Sequence, residues 1–207
     1  MLTKIRLDHL ISFSDAVFAF SITFMAISIQ ILNLPENLSQ AEVIERITGE
    51  LGTRFSVYVV SFFVIAAYWI SYHQIFNHIA GSHMAIVWLN IVFLFFITLI
   101  PFAVDLEVDY HSYQIIFILY ALILTAAGVL LTLVWLYASK NNLVLSSLNY
   151  YGKQHILVES TVLPAVFLLS ILVSIIDLRT AIFFWVVIIP AKIIIRKKYG
   201  NQMPSVN

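Results

Sequence analysis

Apolar residues run through this chain in long blocks separated by short polar stretches. A helix that crosses a bilayer needs about 20 mostly apolar residues. Six blocks approach or exceed that length, at roughly 11–33, 55–78, 84–104, 112–137, 157–176 and 180–196, the last being the shortest. The pattern predicts an all-α integral membrane protein with six transmembrane helices, residues 1–207 forming a single transmembrane domain. The connections are short except for 34–54 and 138–156. Pro35 and the acids Glu36, Glu42, Glu45 and Glu50 mark the first of these as an outside loop, and Ser39 to Ile47 reads as a short amphipathic helix within it. The second holds Asn141, Asn142, Gly152 and Lys153. Pro101, Pro164 and Pro190 fall nearer to helix ends than to midspans, and no repeat relates the two halves. No small-residue cleavage site follows the first block, so it reads as a retained helix and not as a signal peptide.

Composition agrees with this pattern. The 207 residues are 61% hydrophobic and 11% charged, against about 25% charged in a soluble domain. The formal net charge is zero, which gives nucleic acid no electrostatic footing. The chain has no cysteine, so disulfides and thiol chemistry are excluded. Charge asymmetry sets the orientation. Lys4, Arg6, Lys140, Lys153, Lys192, Arg196, Lys197 and Lys198 fall on one side, and only Arg46, Arg54 and Arg179 on the other. The first side is expected to be cytoplasmic, with both termini inside a multi-pass protein of the cell membrane. Glu36, Glu42, Glu45, Glu50, Asp105, Glu107, Asp109 and Asp177 lie outside. Such an acidic face either concentrates cations or is a plain solvated loop surface.

An ionisable side chain inside a spanning helix costs a few kcal/mol and is a functional candidate by default. Asp15 sits about one turn into the first helix, and His73 about one turn before the end of the second, after Trp69. The third helix begins with Trp88, Leu89 and Asn90. Alternating direction places Asp15, His73 and Asn90 at a similar depth in the cytoplasmic leaflet. A buried carboxylate needs donors, and imidazole, amide and indole N–H groups supply them. A polar cluster of Ser14, Asp15, Trp69, His73, Trp88 and Asn90 is therefore expected to join the first three helices, with His9 capping it. Locking of helix packing is the favoured role over catalysis or ion binding. His78 and His83 are expected at headgroup level, without a role.

At about 100° per residue, Ala16, Phe20, Thr23, Phe24, Ile27 and Ile31 share one broad stripe of the first helix, with Asp15 roughly opposite. The stripe faces lipid, helices four to six, or a symmetry-related copy. Thr23 and Gln30 at its edge suit lipid poorly, and Ser21 and Ser28 add small polar groups, yet such residues are also tolerated in ordinary helices.

The run Phe13-Ser14-Asp15-Ala16-Val17-Phe18-Ala19 resembles the transmembrane protein 175 family, lysosomal and prokaryotic potassium channels marked by an Arg-x-x-x-Phe-Ser-Asp motif. Tyr68 to Phe76, Trp88-Leu89-Asn90 and Leu99-Ile100-Pro101-Phe102 extend the resemblance through the first half, while the second half is similar only in hydropathy. The resemblance implies a potassium-selective cation channel, a homotetramer of six-helix chains with the first helix lining the pore. It implies no cofactor, only permeant K+, and no Thr-Val-Gly-Tyr-Gly filter. It places a hydrophobic constriction five, nine and twelve residues after the motif Asp, at Phe20, Phe24 and Ile27, with Thr23 as a polar layer. Two positions depart from the family. His9 stands where the motif arginine belongs, with Arg6 about one turn earlier, and a titratable histidine there is able to confer pH sensitivity. Phe20 replaces the usual Ile or Leu, and a ring of phenyl groups closes a pore more tightly, as a hydrophobic gate does.

Two further readings compete. Asp15 and His73 have the chemistry of an acid–base pair, but the chain offers no second carboxylate beside them and no His-Glu-x-x-His pattern, and one His with one Asp is too few ligands for a metal. An enzyme is not expected. A secondary transporter or proton-leak pathway would favour repeats and charges at the midplane, whereas these charges sit in one leaflet.

Overall fold

The computed structural model describes residues 6–27, 39–46, 48–49, 52–81, 83–110 and 112–200. Expectations placed on Lys4, Ser28, Gln30, Ile31, Pro35, Glu36, Ile47 and Glu50, and on the side chains of Arg46 and Arg179, lie outside the described residues. The described chain is all-helical. Its long helices are α1 (Leu7–Ile27), α3 (Gly52–Phe76), α4 (Met84–Tyr110), α5 (Gln114–Lys140) and α6 (Tyr150–Ile176), with the short α2 (Gln40–Arg46) before α3. After α6 come α7 (Leu178–Phe183), one turn of 3-10 helix (Phe184–Val187) and α8 (Ile188–Gly200). The five long helices are each long and apolar enough to cross a membrane. The sixth block of the sequence is thus realised as three consecutive short pieces and not as one straight helix.

Local chemistry explains the boundaries. Ser39 and Glu42 form a reciprocal capping box at α2, the Ser39 N–H donating to the Glu42 carboxylate at 2.8 Å and the Glu42 N–H to the Ser39 hydroxyl at 3.4 Å. Asn149 caps α6 by accepting from the Gly152 N–H at 2.8 Å. Asp177 caps α7 by accepting from the Thr180 N–H at 2.8 Å. The Asn149 cap corrects the expected loop at 138–156. The connection is 141–149, and Gly152 and Lys153 belong to α6. Asn142 takes a left-handed φ of 55° in that turn, a conformation asparagine tolerates. The turn is fastened to the α3–α4 turn by an antiparallel bridge between Ile79 and Val144. There the Ala80 N–H donates to the Leu143 carbonyl at 2.7 Å and the Leu145 N–H to the His78 carbonyl at 2.9 Å.

Because α6 starts early, Pro164 lies near its middle and not towards an end. Proline has no N–H and frees the carbonyl four residues back. That carbonyl belongs to Ser160, and the Thr132 hydroxyl of α5 lies 3.1 Å from it. The proline ring also presses on Gly128 of α5, where an added Cβ would meet Pro164 Cδ at 2.6 Å and Cβ at 2.9 Å. A missing donor and a missing side chain together bring the two backbones close. Lipid tails are as apolar as leucine, so such close packing and interhelical hydrogen bonds, more than hydrophobic transfer, hold membrane helices together.

α5 packs between α4 and α6, α8 lies on α6, and α1 sits at the edge against α4 and α3. The centre is aromatic. Tyr68, Phe93, Phe117, Tyr120, Trp135 and Phe167 are almost wholly buried. Tyr68 donates to the Leu124 carbonyl at 2.5 Å and the Trp135 indole to the Lys153 carbonyl at 3.1 Å, so each polar handle ends on a neighbouring helix.

Gly128→Ala is expected to destabilise the protein by about 1–3 kcal/mol, the usual cost of overpacking a rigid contact. Thermal unfolding of the purified protein in detergent checks this. An unchanged midpoint would show that the α5–α6 contact yields without cost.

Candidate functional site

The last turns of α3 and the first turns of α1 and α4 meet at one end of the bundle. Ser14 lies at the crossing, wholly buried. Its hydroxyl donates to the Leu10 carbonyl at 2.8 Å, satisfying itself within α1. It then accepts from the Tyr72 hydroxyl of α3 at 2.8 Å and from the Asn90 side-chain amide of α4 at 3.0 Å. Asp15, the next residue, holds the rim. The Trp69 indole N–H donates to its Oδ1 at 2.9 Å, and His73 Nε2 lies 2.8 Å from the same oxygen. The Trp69 and His73 rings meet edge to face at 4.6 Å.

The structure therefore brings Ser14, Asp15, Trp69, His73 and Asn90 together and leaves two expected members outside. Trp88 is 63% exposed and turns away from the crossing. It lies two positions before Asn90, so a helix that buries Asn90 must direct Trp88 elsewhere. His9 is exposed on α1 and does not cap the cluster. Tyr72 went unnoticed in the sequence because it reads as one more aromatic in an apolar run. Its signal was its four-residue spacing from Tyr68 and Phe76, which are also buried.

The rotation of α1 follows from this crossing. Ser14, Phe18, Ser21 and Met25 form the buried seam, while Phe20, Thr23, Phe24 and Ile27 are exposed, Phe20 to 64% and Ile27 to 74%. Ser14 lies in the buried seam and Asp15 at its edge with 43% of its side chain exposed, each about 130° round the helix from the stripe at 100° per residue. Phe20 and Phe24 stack on each other at 5.8 Å on the exposed face. The Thr23 hydroxyl donates to the Ala19 carbonyl at 2.8 Å, so its oxygen lone pairs point outward unspent.

A second polar group links α3, α6 and α8 at the same end, and the sequence reading missed it. The Gln74 amide donates to Glu159 Oε2 at 2.6 Å, and Lys192 Nζ donates to the Ser71 hydroxyl at 2.8 Å. His155 Nε2 is 3.4 Å from Glu159 Oε2, within ion-pair distance but outside hydrogen-bond geometry. The expected helix start at 157 set Glu159 at a boundary, where a carboxylate draws no notice. His78 and His83 are both engaged, Nδ1 of the first lying 2.7 Å from the Gln74 carbonyl and Nδ1 of the second 2.8 Å from the Tyr137 hydroxyl. At the opposite end, Asp109 pairs with Arg54 at 3.0 Å and Asp177 caps α7, so part of the acidic face serves the fold.

Comparison with known proteins bears on this geometry. The family model described as "Endosomal/lysosomal potassium channel TMEM175" matches residues 9–101, which contain the whole α1–α3–α4 crossing and the exposed stripe. A potassium channel of Streptomyces collinus is 27% identical over 130 residues, covering 60% of this chain and 60% of its own length. One from Chryseobacterium is 33% identical over 104 residues, covering 50% of this chain and 48% of its own length. The crystal structure of a lysosomal potassium-selective TMEM175 homologue from Chamaesiphon minutus superposes with a TM-score of 0.74 at 21% identity, covering 91% of this chain and 97% of that one. The chain is thus similar to the TMEM175 family over residues 9–101 and shares the fold of a solved TMEM175 homologue. It spans about half to three-fifths of the length of the curated relatives it matches. The TMEM175 fold extends beyond the matched half, since the structural likeness takes in α5 and α6 as well.

Ser14→Ala is expected to strand the Tyr72 hydroxyl and the Asn90 amide, at about 1–3 kcal/mol for each buried donor left unmet. Asp15→Asn keeps an acceptor in a half-exposed place and is expected to cost under about 1 kcal/mol. Unfolding of the two variants in detergent checks the order. A larger loss for Asp15→Asn would move the pivot to the carboxylate.

Proposed function

We propose that the chain is a potassium-selective cation channel and not an enzyme, assembled as a homotetramer with α1 lining the pore. The observation that carries this reading is the exposed stripe of α1. Phe20, Phe24 and Ile27 stand uncovered in one copy while the opposite seam is locked by Ser14. A hydroxyl with outward lone pairs, Thr23, sits in the middle of that stripe. A file of partly dehydrated cations would meet an oxygen acceptor there. The relatives named potassium channels support the same reading.

In this reading Phe20, Phe24 and Ile27 form the constriction, one set from each copy, and the phenyl ring of Phe20 sets a hydrophobic gate that conducts when wetted. The Asp15–Trp69–His73 and Ser14–Tyr72–Asn90 contacts fix the rotation of α1 and hence the radius of the path. Residues 178–200 complete a sixth crossing, since such a segment reaches about 34 Å at 1.5 Å per residue against a hydrocarbon core of about 30 Å. Both termini then share the cytoplasmic side with Lys140, Lys153, Arg196, Lys197 and Lys198. The partners are further copies of the chain, the bilayer of the cell membrane and monovalent cations, with K+ as the permeant ion and no cofactor.

Flux from reconstituted vesicles tests the assignment. Phe20→Ala is expected to raise potassium flux about tenfold for each ~1.4 kcal/mol of barrier removed. Unchanged flux would return the stripe to the lipid. Flux of protons without potassium, followed with a pH-sensitive dye, would replace the potassium channel by a proton pathway.

A further inference from the structure

At the end of the bundle remote from Asp15, α3, α4, α5 and the α7–3-10 segment border an open-sided cavity of about 560 Å³. Glu107 lines it at 3% exposure, and neither of its carboxylate oxygens meets a donor among the described residues. Trp185 lines it at 6% exposure, and its indole N–H is likewise unmet. The nearby groups that look able to help are committed elsewhere. The Tyr120 hydroxyl donates to Ser61 Oγ at 2.9 Å, and Arg54 pairs with Asp109. Phe117 stacks on Trp185 at 5.8 Å and Tyr120 meets it edge to face at 5.3 Å, giving the cavity an aromatic wall.

We propose that this cavity binds an organic monocation, its ammonium group on Glu107 and its apolar body against Phe117, Tyr120 and Trp185. A neutral apolar guest would leave a buried carboxylate stranded. A divalent metal ion would find one carboxylate where it needs several oxygen ligands. An ammonium meets both the carboxylate and the electron-rich faces of the rings. The volume suits a small molecule, as ligand cavities run from about 300 to 1,000 Å³. None of the lining residues belongs to α1, so the site stands or falls apart from the ion path.

Calorimetric titration of the purified full chain in detergent, with phenylethylammonium and with the uncharged 2-phenylethanol, tests the site. The cation is expected to bind at least about tenfold more tightly than the alcohol, the worth of a charge-assisted contact. Glu107→Gln is expected to erase that preference, and Val60→Trp, which fills the cavity from its lining without touching the carboxylate, to abolish binding of both. A parallel titration with phosphatidylethanolamine assigns the source. Competition with phenylethylammonium would uphold the site and make a lipid headgroup an occupant, and absence of competition would leave it to free amines. Equal affinity for cation and alcohol, no binding by the unmodified chain, or an unchanged preference in Glu107→Gln would overturn the proposal.

Discussion

The hydroxyl of Ser14 is spent completely. It gives its proton to its own helix and receives one from each of two others, Tyr72 on α3 and Asn90 on α4. In a medium without water, breaking either contact leaves a donor with nothing to bind. The rotation of α1 is therefore fixed by hydrogen-bond accounting and not by the weak preference of one apolar side chain over another. Everything displayed on the far side of that helix, including the stacked Phe20 and Phe24, is a consequence of this choice.

The same economy recurs through the bundle. A long aromatic or cationic side chain crosses to the next helix and ends on a backbone carbonyl or a small hydroxyl. Tyr68 reaches Leu124, Tyr120 reaches Ser61, Trp135 reaches Lys153 and Lys192 reaches Ser71. Where a proline removes a backbone donor, at Pro164, a threonine of the adjacent helix reaches the carbonyl it freed. These contacts resist sliding and turning of one helix on another, which apolar packing against lipid-like neighbours does poorly.

How much of this the sequence discloses depends on the kind of signal. Hydropathy places the five long helices because their apolar blocks are longer than any soluble helix requires. Asp15 and His73 are legible because an ionisable group in such a block is conspicuous. Glu159 and His155 are not, because the apolar window ends where polar residues begin, while the Asn149 cap starts α6 at Tyr150. Tyr72 is hidden by company, and Trp88 misleads by adjacency to Asn90. The 3-10 turn after Phe183 contains no Gly or Pro, and the one local hint is Pro190, which lacks the donor for the Val186 carbonyl. Fit against Phe117, Tyr120 and Phe167 seats Trp185 there, and long-range fit has no local signature.

The bridge between Ile79 and Val144 has a mechanical consequence. It stitches together the connectors of two helical hairpins at one rim. With those connectors sewn, the hairpins cannot splay apart there, and any breathing pivots about that seam.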